Sequence, residues 1–202
     1  LYMLLFAAFN LLLSRWSGQS DLVVGTPIAG RRRSEVEALI GCFANTLAIR
    51  TQLEGLESFR ELLARVRSTT LGAFSHQELP FEKLVAELLP DRETNRNPLF
   101  QVMFSLRGEG GGGLQLAGLV VEPVAIPGDV AKVDLSLFIA ESAGGLRCHL
   151  NYNTGLFAGD TALAMLGQFR ELLTDIAASP EKPVSALRLM GDAERTRILR
   201  DW

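Results

Sequence analysis

Apolar residues fill the start of the chain. Leu1–Trp16 is apolar on nearly all sides of a helical projection, which predicts a central helix enclosed by the rest of the fold. Gly18 ends it. Asp21–Ile28 (D-L-V-V-G-T-P-I) reads as a strand with Pro27 near its end. A short helix over Glu35–Ile40 leads to Gly41. Phe43–Thr51 alternates as a strand: Phe43, Asn45, Leu47 and Ile49 share one face, and Ala44, Thr46, Ala48 and Arg50 share the other. Ser58 and Glu61 form a capping box ahead of a helix with an apolar stripe of Phe59, Leu62, Leu63, Val66 and Phe74. Glu61 and Arg65 are spaced as an i, i+4 pair on its exposed side.

An elbow follows from His76 to Phe100. Leu79 precedes a proline and is pushed toward extended backbone. Pro80 suits the first turn of a new helix, where a missing N–H costs nothing. Phe81, Leu84, Val85 and Leu88 recur on one face of that helix, and Pro90 stops it. Asn95, Asn97 and Pro98 mark a turn before an apolar run. The predicted sequence of elements is helix, kinked loop, helix, polar loop and buried strand.

The second half alternates again. In Leu99–Leu106, Phe100, Val102, Phe104 and Leu106 form one face, and Gln101, Met103 and Ser105 the other. Gly108–Gly113 is a flexible connection; it lacks the Lys-Ser/Thr pair of a phosphate-binding loop. Strands are expected over Leu119–Ile126, Val133–Glu141 and Leu146–Tyr152. In the last, Cys148 shares a face with Leu150, and His149 looks the other way. Asp160 is expected to cap a long helix with Leu163, Leu166, Phe169, Leu173 and Ile176 inward. Asp192–Trp202 reads as a terminal helix. The pattern as a whole predicts an α/β domain with five or six strands.

Composition narrows the function. With 48% hydrophobic residues in 202, the chain has ample material for a core, and its net charge of −3 argues against a general nucleic-acid binder. Two distant cysteines, Cys42 and Cys148, favour a reduced, cytoplasmic setting. With His76 and His149 as its only histidines, the chain has no histidine-rich metal site, and no metal is expected. The apolar start is too short to span a bilayer and is interrupted by Asn10, Ser14 and Arg15. A chain that opens inside a helix reads as excised from something longer.

The candidate chemistry is sparse. Asn45 sits among large apolar residues, so its amide needs partners. Two readings stay open: a structural bond to a neighbouring loop, or contact with a substrate amide. Arg31, Arg32 and Arg33 are either a solvated loop or a patch facing phosphate or acid. His76, at a helix end, fits a cap or structural donor better than a base, because no nucleophile lies near it in sequence. No G-x-S-x-G, H-E-x-x-H or G-x-G-x-x-G occurs.

Three blocks carry a resemblance. Ile40-Gly41-Cys42-Phe43-Ala44-Asn45-Thr46-Leu47-Ala48-Ile49-Arg50 is similar to I-G-x-F-V-N-T-x-x-x-R. His76-Gln77-Glu78-Leu79-Pro80-Phe81-Glu82 is similar to H-Q-D-x-P-F-E. Arg92-Glu93-Thr94-Asn95-Arg96-Asn97-Pro98-Leu99 is similar to R-D-x-S-R-N-P-L. Over nearly its whole length the chain resembles the C-terminal half of a nonribosomal peptide synthetase condensation domain. The departures are small: Cys42, Ala44, Glu78, Glu93 and Thr94 replace other residues.

The resemblance implies an α+β sandwich, a chloramphenicol-acetyltransferase-like half-domain with a mixed sheet flanked by helices. Residues 1–180 would be the C-terminal lobe and 181–202 a linker toward a downstream adenylation domain. The family's H-H-x-x-x-D-G motif is not among these residues, so no catalytic residue is expected in this chain. The reaction implied joins a carrier-bound acyl or peptidyl thioester to a carrier-bound aminoacyl amine. Phosphopantetheine arms would enter as substrate carriers, with no cofactor bound directly. The partners implied are the N-terminal lobe, upstream and downstream carrier proteins and the adenylation domain, with no nucleic acid and no membrane. Cleft candidates are Gly41, Phe43, Asn45, Thr46, Arg50, His76, Gln77, Pro80, Phe81, Glu82, Arg96, Asn97, Pro98 and Ser105. Arg31, Arg32 and Arg33 are candidates for carrier docking. The alternatives are a non-catalytic carrier-docking module and a self-contained acyltransferase using His76 or His149.

Overall fold

Helix α1 (Tyr2–Ser17) is buried without interruption from Leu5 to Leu13, as its all-round apolar sequence predicts. The structure, a computed structural model, describes residues 1–89, 97–108, 116, 118, 119, 121, 130–142, 144–191, 195, 196, 199 and 200. Strand β1 (Asp21–Ile28) pairs antiparallel with β2 (Asn45–Gln52), Val24 opposite Ile49 and Ile28 opposite Asn45. Strand β3 (Val102–Arg107) runs parallel to β1 and to β4 (Leu135–Ser142), which pairs antiparallel with β5 (Gly145–Tyr152). The mixed five-stranded sheet has the order β2-β1-β3-β4-β5.

Helices α3 (Phe59–Ser75) and α5 (Gly159–Ala178) pack on either side of α1. Together the three cover the sheet face presenting Val24, Ile49, Phe104, Leu137 and Leu150. Phe104 is the hub of that core: the rings of Tyr2 and Phe6 lie 5.4 Å from its own, and that of Phe9 lies 5.8 Å away. Such offset and edge contacts are the favoured aromatic geometry. Burial pushes the Tyr2 phenol up to about 12.

Several expectations need correction. The inner face of α5 is Ala162, Met165, Phe169, Leu172 and Ile176; Leu163 is 68% exposed, because contact with α1 and β5 rotates the buried stripe. Asp160 lies inside the first turn of α5, and the cap position is Ala158. Helix α2 (Ser34–Glu37) is a single turn and does not reach Ile40. Glu61 completes the Ser58 capping box, while Arg65 turns to the Glu57 carboxylate and the Gln52 carbonyl instead. Helix α4 (Phe81–Leu88) ends before Pro90, which lies outside the described residues. So do most of Leu119–Ile126 and much of Asp192–Trp202; Arg195, Thr196, Leu199 and Arg200 are helical.

Phe100 also departs from the strand pattern. It precedes β3, and Leu99 before it has a φ of 67°. That left-handed turn sends the ring to the sheet face opposite Phe104. There it covers Gly25, where an added Cβ would lie 2.4 Å from the ring. The Phe81 ring of α4 lies tilted against Phe100, centroids 5.4 Å apart, and Val85 of the same helix is buried. A second, smaller apolar cluster thus sits across the sheet from the three-helix core.

The chain after α5 remains attached to the body. Val184 and Leu187 are buried in the main core. The Val184 N–H donates to the Glu57 carbonyl at 2.8 Å, and Arg15 Nη2 donates to the Val184 carbonyl at 2.8 Å. Asp175, buried on α5, accepts from Lys182 Nζ at 3.0 Å and from the Arg188 N–H at 2.9 Å.

Candidate functional site

The elbow is built around one amide. Asn45 Nδ2 donates to the carbonyls of Gln77 (3.0 Å) and Leu79 (2.8 Å), and Asn45 Oδ1 accepts the Phe81 N–H at 3.0 Å. The cap residue of α4 is Pro80, whose ring offers no acceptor, so the first turn needs one from elsewhere. Asn45, at the start of β2, supplies it. Both donors and the acceptor of the amide are engaged within the chain. The structural reading of Asn45 therefore describes the observed contacts.

The opposite wall is set by Gly30 and Arg31. Gly30 has a φ of 67°, and a Cβ there would lie 1.8 Å from the Phe43 carbonyl oxygen, so only glycine admits this approach. Arg31 stacks its guanidinium 4.4 Å from the Phe43 ring centroid. It also donates to the carbonyls of Val36, Glu37 and Gly41. One side chain thereby holds the 33–43 loop in place. Arg32 and Arg33 are exposed and carry no ion pair among the described residues.

Between these walls lies a cleft of about 450 Å³. Arg32, Arg33 and Phe43 line one side, Gln77, Pro80, Phe81 and Glu82 the other, and Asn45 and Thr46 lie between. Glu78, a member of the second motif block, lines it too, as do Cys42 and Ala44. The cleft has a basic wall facing an acidic one.

The remaining candidates lie elsewhere. His76 caps the C-terminus of α3 and does not line the cleft; its Nδ1 is 3.0 Å from the Gly72 carbonyl and 2.9 Å from Ser75 Oγ. Arg50, at the far end of β2, pairs with Asp21 through Nε (2.9 Å) and Nη2 (2.6 Å). Its hydrogen bond holds the Asp21 carboxyl below the usual range. Asn97 Nδ2 donates to the Lys132 carbonyl at 3.0 Å, beside Pro98. Ser105 is half-buried in β3 on the face away from Phe104, opposite Phe138. Arg96 lies outside the described residues. Sequence reasoning missed Gly25 and Gly30; a glycine inside a strand pattern and a Gly-Arg step were the available signals.

The family model for the condensation domain matches residues 1–199. The chain belongs to the condensation domain family. A linear gramicidin synthase of Brevibacillus parabrevis is 47% identical over 204 residues, with all of this chain covered but 4% of that protein. A surfactin synthase of Bacillus subtilis (strain 168) is 43% identical over 202 residues, covering all of this chain and 6% of that protein. The chain thus spans a small part of these synthases. Among solved structures, a holo four-domain nonribosomal peptide synthetase bound to AMP and glycine superposes with a TM-score of 0.82 at 25% identity, over 96% of this chain and 16% of that one. The X-domain from teicoplanin biosynthesis gives a TM-score of 0.81 at 30% identity, over 94% of this chain and 44% of that one. The mixed sheet with its flanking helices matches these condensation-type folds. Among the described residues, no helix of the condensation domain is long and apolar enough to cross a membrane.

Proposed function

We propose that the chain is the C-terminal lobe of a peptide-bond-forming condensation domain, with a chloramphenicol-acetyltransferase-like two-lobe architecture. The observation that carries this is the elbow cleft: two of the three motif blocks, distant in sequence, meet there through Asn45. Coverage of 94% of this chain against 44% of an isolated X-domain supports its being about half of such a unit.

In the reaction, the amine of a carrier-bound aminoacyl group attacks a carrier-bound acyl or peptidyl thioester. A C–N bond forms, the C–S bond breaks, the sulfur leaves as a thiol and the amine loses a proton. Phosphopantetheine arms of upstream and downstream carrier proteins bring both reactants. The role of this lobe is to hold one wall of the channel so that the reacting atoms stay aligned. The base belongs to the H-H-x-x-x-D-G motif on the partner lobe, so this chain alone is inactive. Residues beyond the docked segment at 181–189 lead toward an adenylation domain, in the cytoplasm.

A condensation assay with loaded donor and acceptor carriers tests the reading. The chain alone should give no product, and addition of the N-terminal lobe in trans should give amide. Product from this chain alone overturns it.

A second reading, a carrier-docking surface, is favoured by Arg32 and Arg33 at the cleft rim. Arg31 is committed to the 33–43 loop, which leaves its two neighbours to meet an acidic carrier. Titration with a phosphopantetheinylated carrier should give binding that weakens with salt and with Arg32→Glu. Salt-insensitive binding, or none, removes the surface.

A further inference from the structure

We propose that a second cavity, at the opposite end of the sheet from the elbow, is a binding site for a primary amine carrying an apolar group. The cavity has a volume of about 480 Å³ and opens where α1 ends and β1, β3 and β4 begin. Trp16, Phe157, Met165 and Leu99 give it apolar walls, and Asp21 and Asp134 are the acidic residues that line it.

The two carboxylates differ in what they have left to offer. Asp21 is occupied by Arg50 and Gln52, so its charge is already matched. Asp134 is half-buried, and its carboxylate has no hydrogen bond or ion pair among the described residues. An unmatched carboxylate beside apolar walls favours a cation that brings its own apolar body. An anion would meet net negative charge there, and a neutral apolar ligand would leave Asp134 unmatched.

Two features show that the walls are held in place. Trp16 Nε1 donates to Gln168 Oε1 at 2.9 Å, which fixes the indole plane against α5. Leu99 keeps a φ of 67°, a region that side chains with a Cβ seldom occupy. It is held there because the next residue, Phe100, is locked over Gly25. Backbone of this kind persists where surrounding packing over-determines it, and it concentrates at binding sites. The indole face is also a favourable neighbour for an ammonium group. The site is distinct from the elbow cleft, and its occupancy does not depend on the condensation reading.

The test is a calorimetric and NMR titration of the chain with three probes: 2-phenylethylamine, its neutral counterpart 2-phenylethanol, and methylamine. The amine with the ring should bind, and the other two should bind at least about tenfold more weakly. Asp134→Asn should weaken 2-phenylethylamine about tenfold and leave 2-phenylethanol unchanged, with an unaltered melting temperature. Trp16→Leu should weaken both ring-bearing probes. Equal binding of the alcohol and the amine, an unaffected Asp134→Asn variant, or no binding of 2-phenylethylamine at millimolar concentration overturns the proposal.

Discussion

The Phe81 N–H donates to Asn45 Oδ1 at 3.0 Å, so the first residue of β2 caps the first residue of α4. The same amide also gathers the Gln77 and Leu79 carbonyls. A strand and an elbow more than thirty residues later are thereby fixed as one wall of the cleft.

Asn45→Ala should lower the stability of the chain by about 1–3 kcal/mol, since it strands two carbonyls and one N–H at a part-buried site. Asn45→Asp should be at least as harmful, because it turns an acceptor toward two other acceptors. Urea midpoints would measure both, and hydrogen exchange at the Phe81 amide should quicken in each. An unshifted midpoint for Asn45→Ala would mean the clamp contributes nothing.

Gly25→Ala should destabilise by about 1–3 kcal/mol, because its new Cβ meets the Phe100 ring at 2.4 Å. Combined with Phe100→Leu, the loss should be smaller than the sum of the two single changes. Strict additivity in a double-mutant cycle would argue against this contact as the cause. Gly30→Ala should be worse and should not be rescued, since its obstacle is the Phe43 carbonyl and its φ is 67°.

Arg31 and Arg32 are adjacent in sequence but differ in consequence. Arg31→Ala removes the stacking on Phe43 and the bonds to Val36, Glu37 and Gly41, so the 33–43 loop should become readily cut by protease. Arg31→Lys should restore little, because an ammonium can neither fork nor stack in the same way. Arg32→Ala should leave the cleavage pattern as it is. Equal sensitivity of the two variants would refute the staple.

What the sequence made legible follows from how local each signal is. The three-helix core rests on apolar periodicity, and the α3 capping box on residues three apart; both are readable directly. The β2 alternation put Asn45 on the same face as Leu47 and Ile49, and that placement holds. What periodicity could not show was contact between distant segments. Nothing near Phe100 announces that Leu99 turns left-handed and reverses its face. Nothing near Leu163 says that α1 claims the neighbouring stripe of α5. At the cleft, the motif blocks named most of the lining residues, but His76 and Arg50 look elsewhere. Sharing a motif does not oblige side chains to share a site.

The segment after α5 makes the last prediction, and its pH dependence can be worked out in sign. Burial raises the Asp175 carboxyl, but the Arg188 N–H, the Lys182 ammonium and the Arg188 guanidinium together outweigh it, so the group titrates below its usual value. A depressed folded value means that its stabilisation is complete above the unfolded carboxyl's value of about 3.9. That stabilisation is lost as pH falls through the lower folded value. Asp175→Asn should therefore cost about 1–3 kcal/mol at neutral pH. It should also flatten the fall of stability in acid, so that the variant and the parent converge at the lowest pH. Urea melts across that range would show it. Parallel curves for the two proteins, separated by the same amount at every pH, would mean that the charge of Asp175 does not hold the segment down.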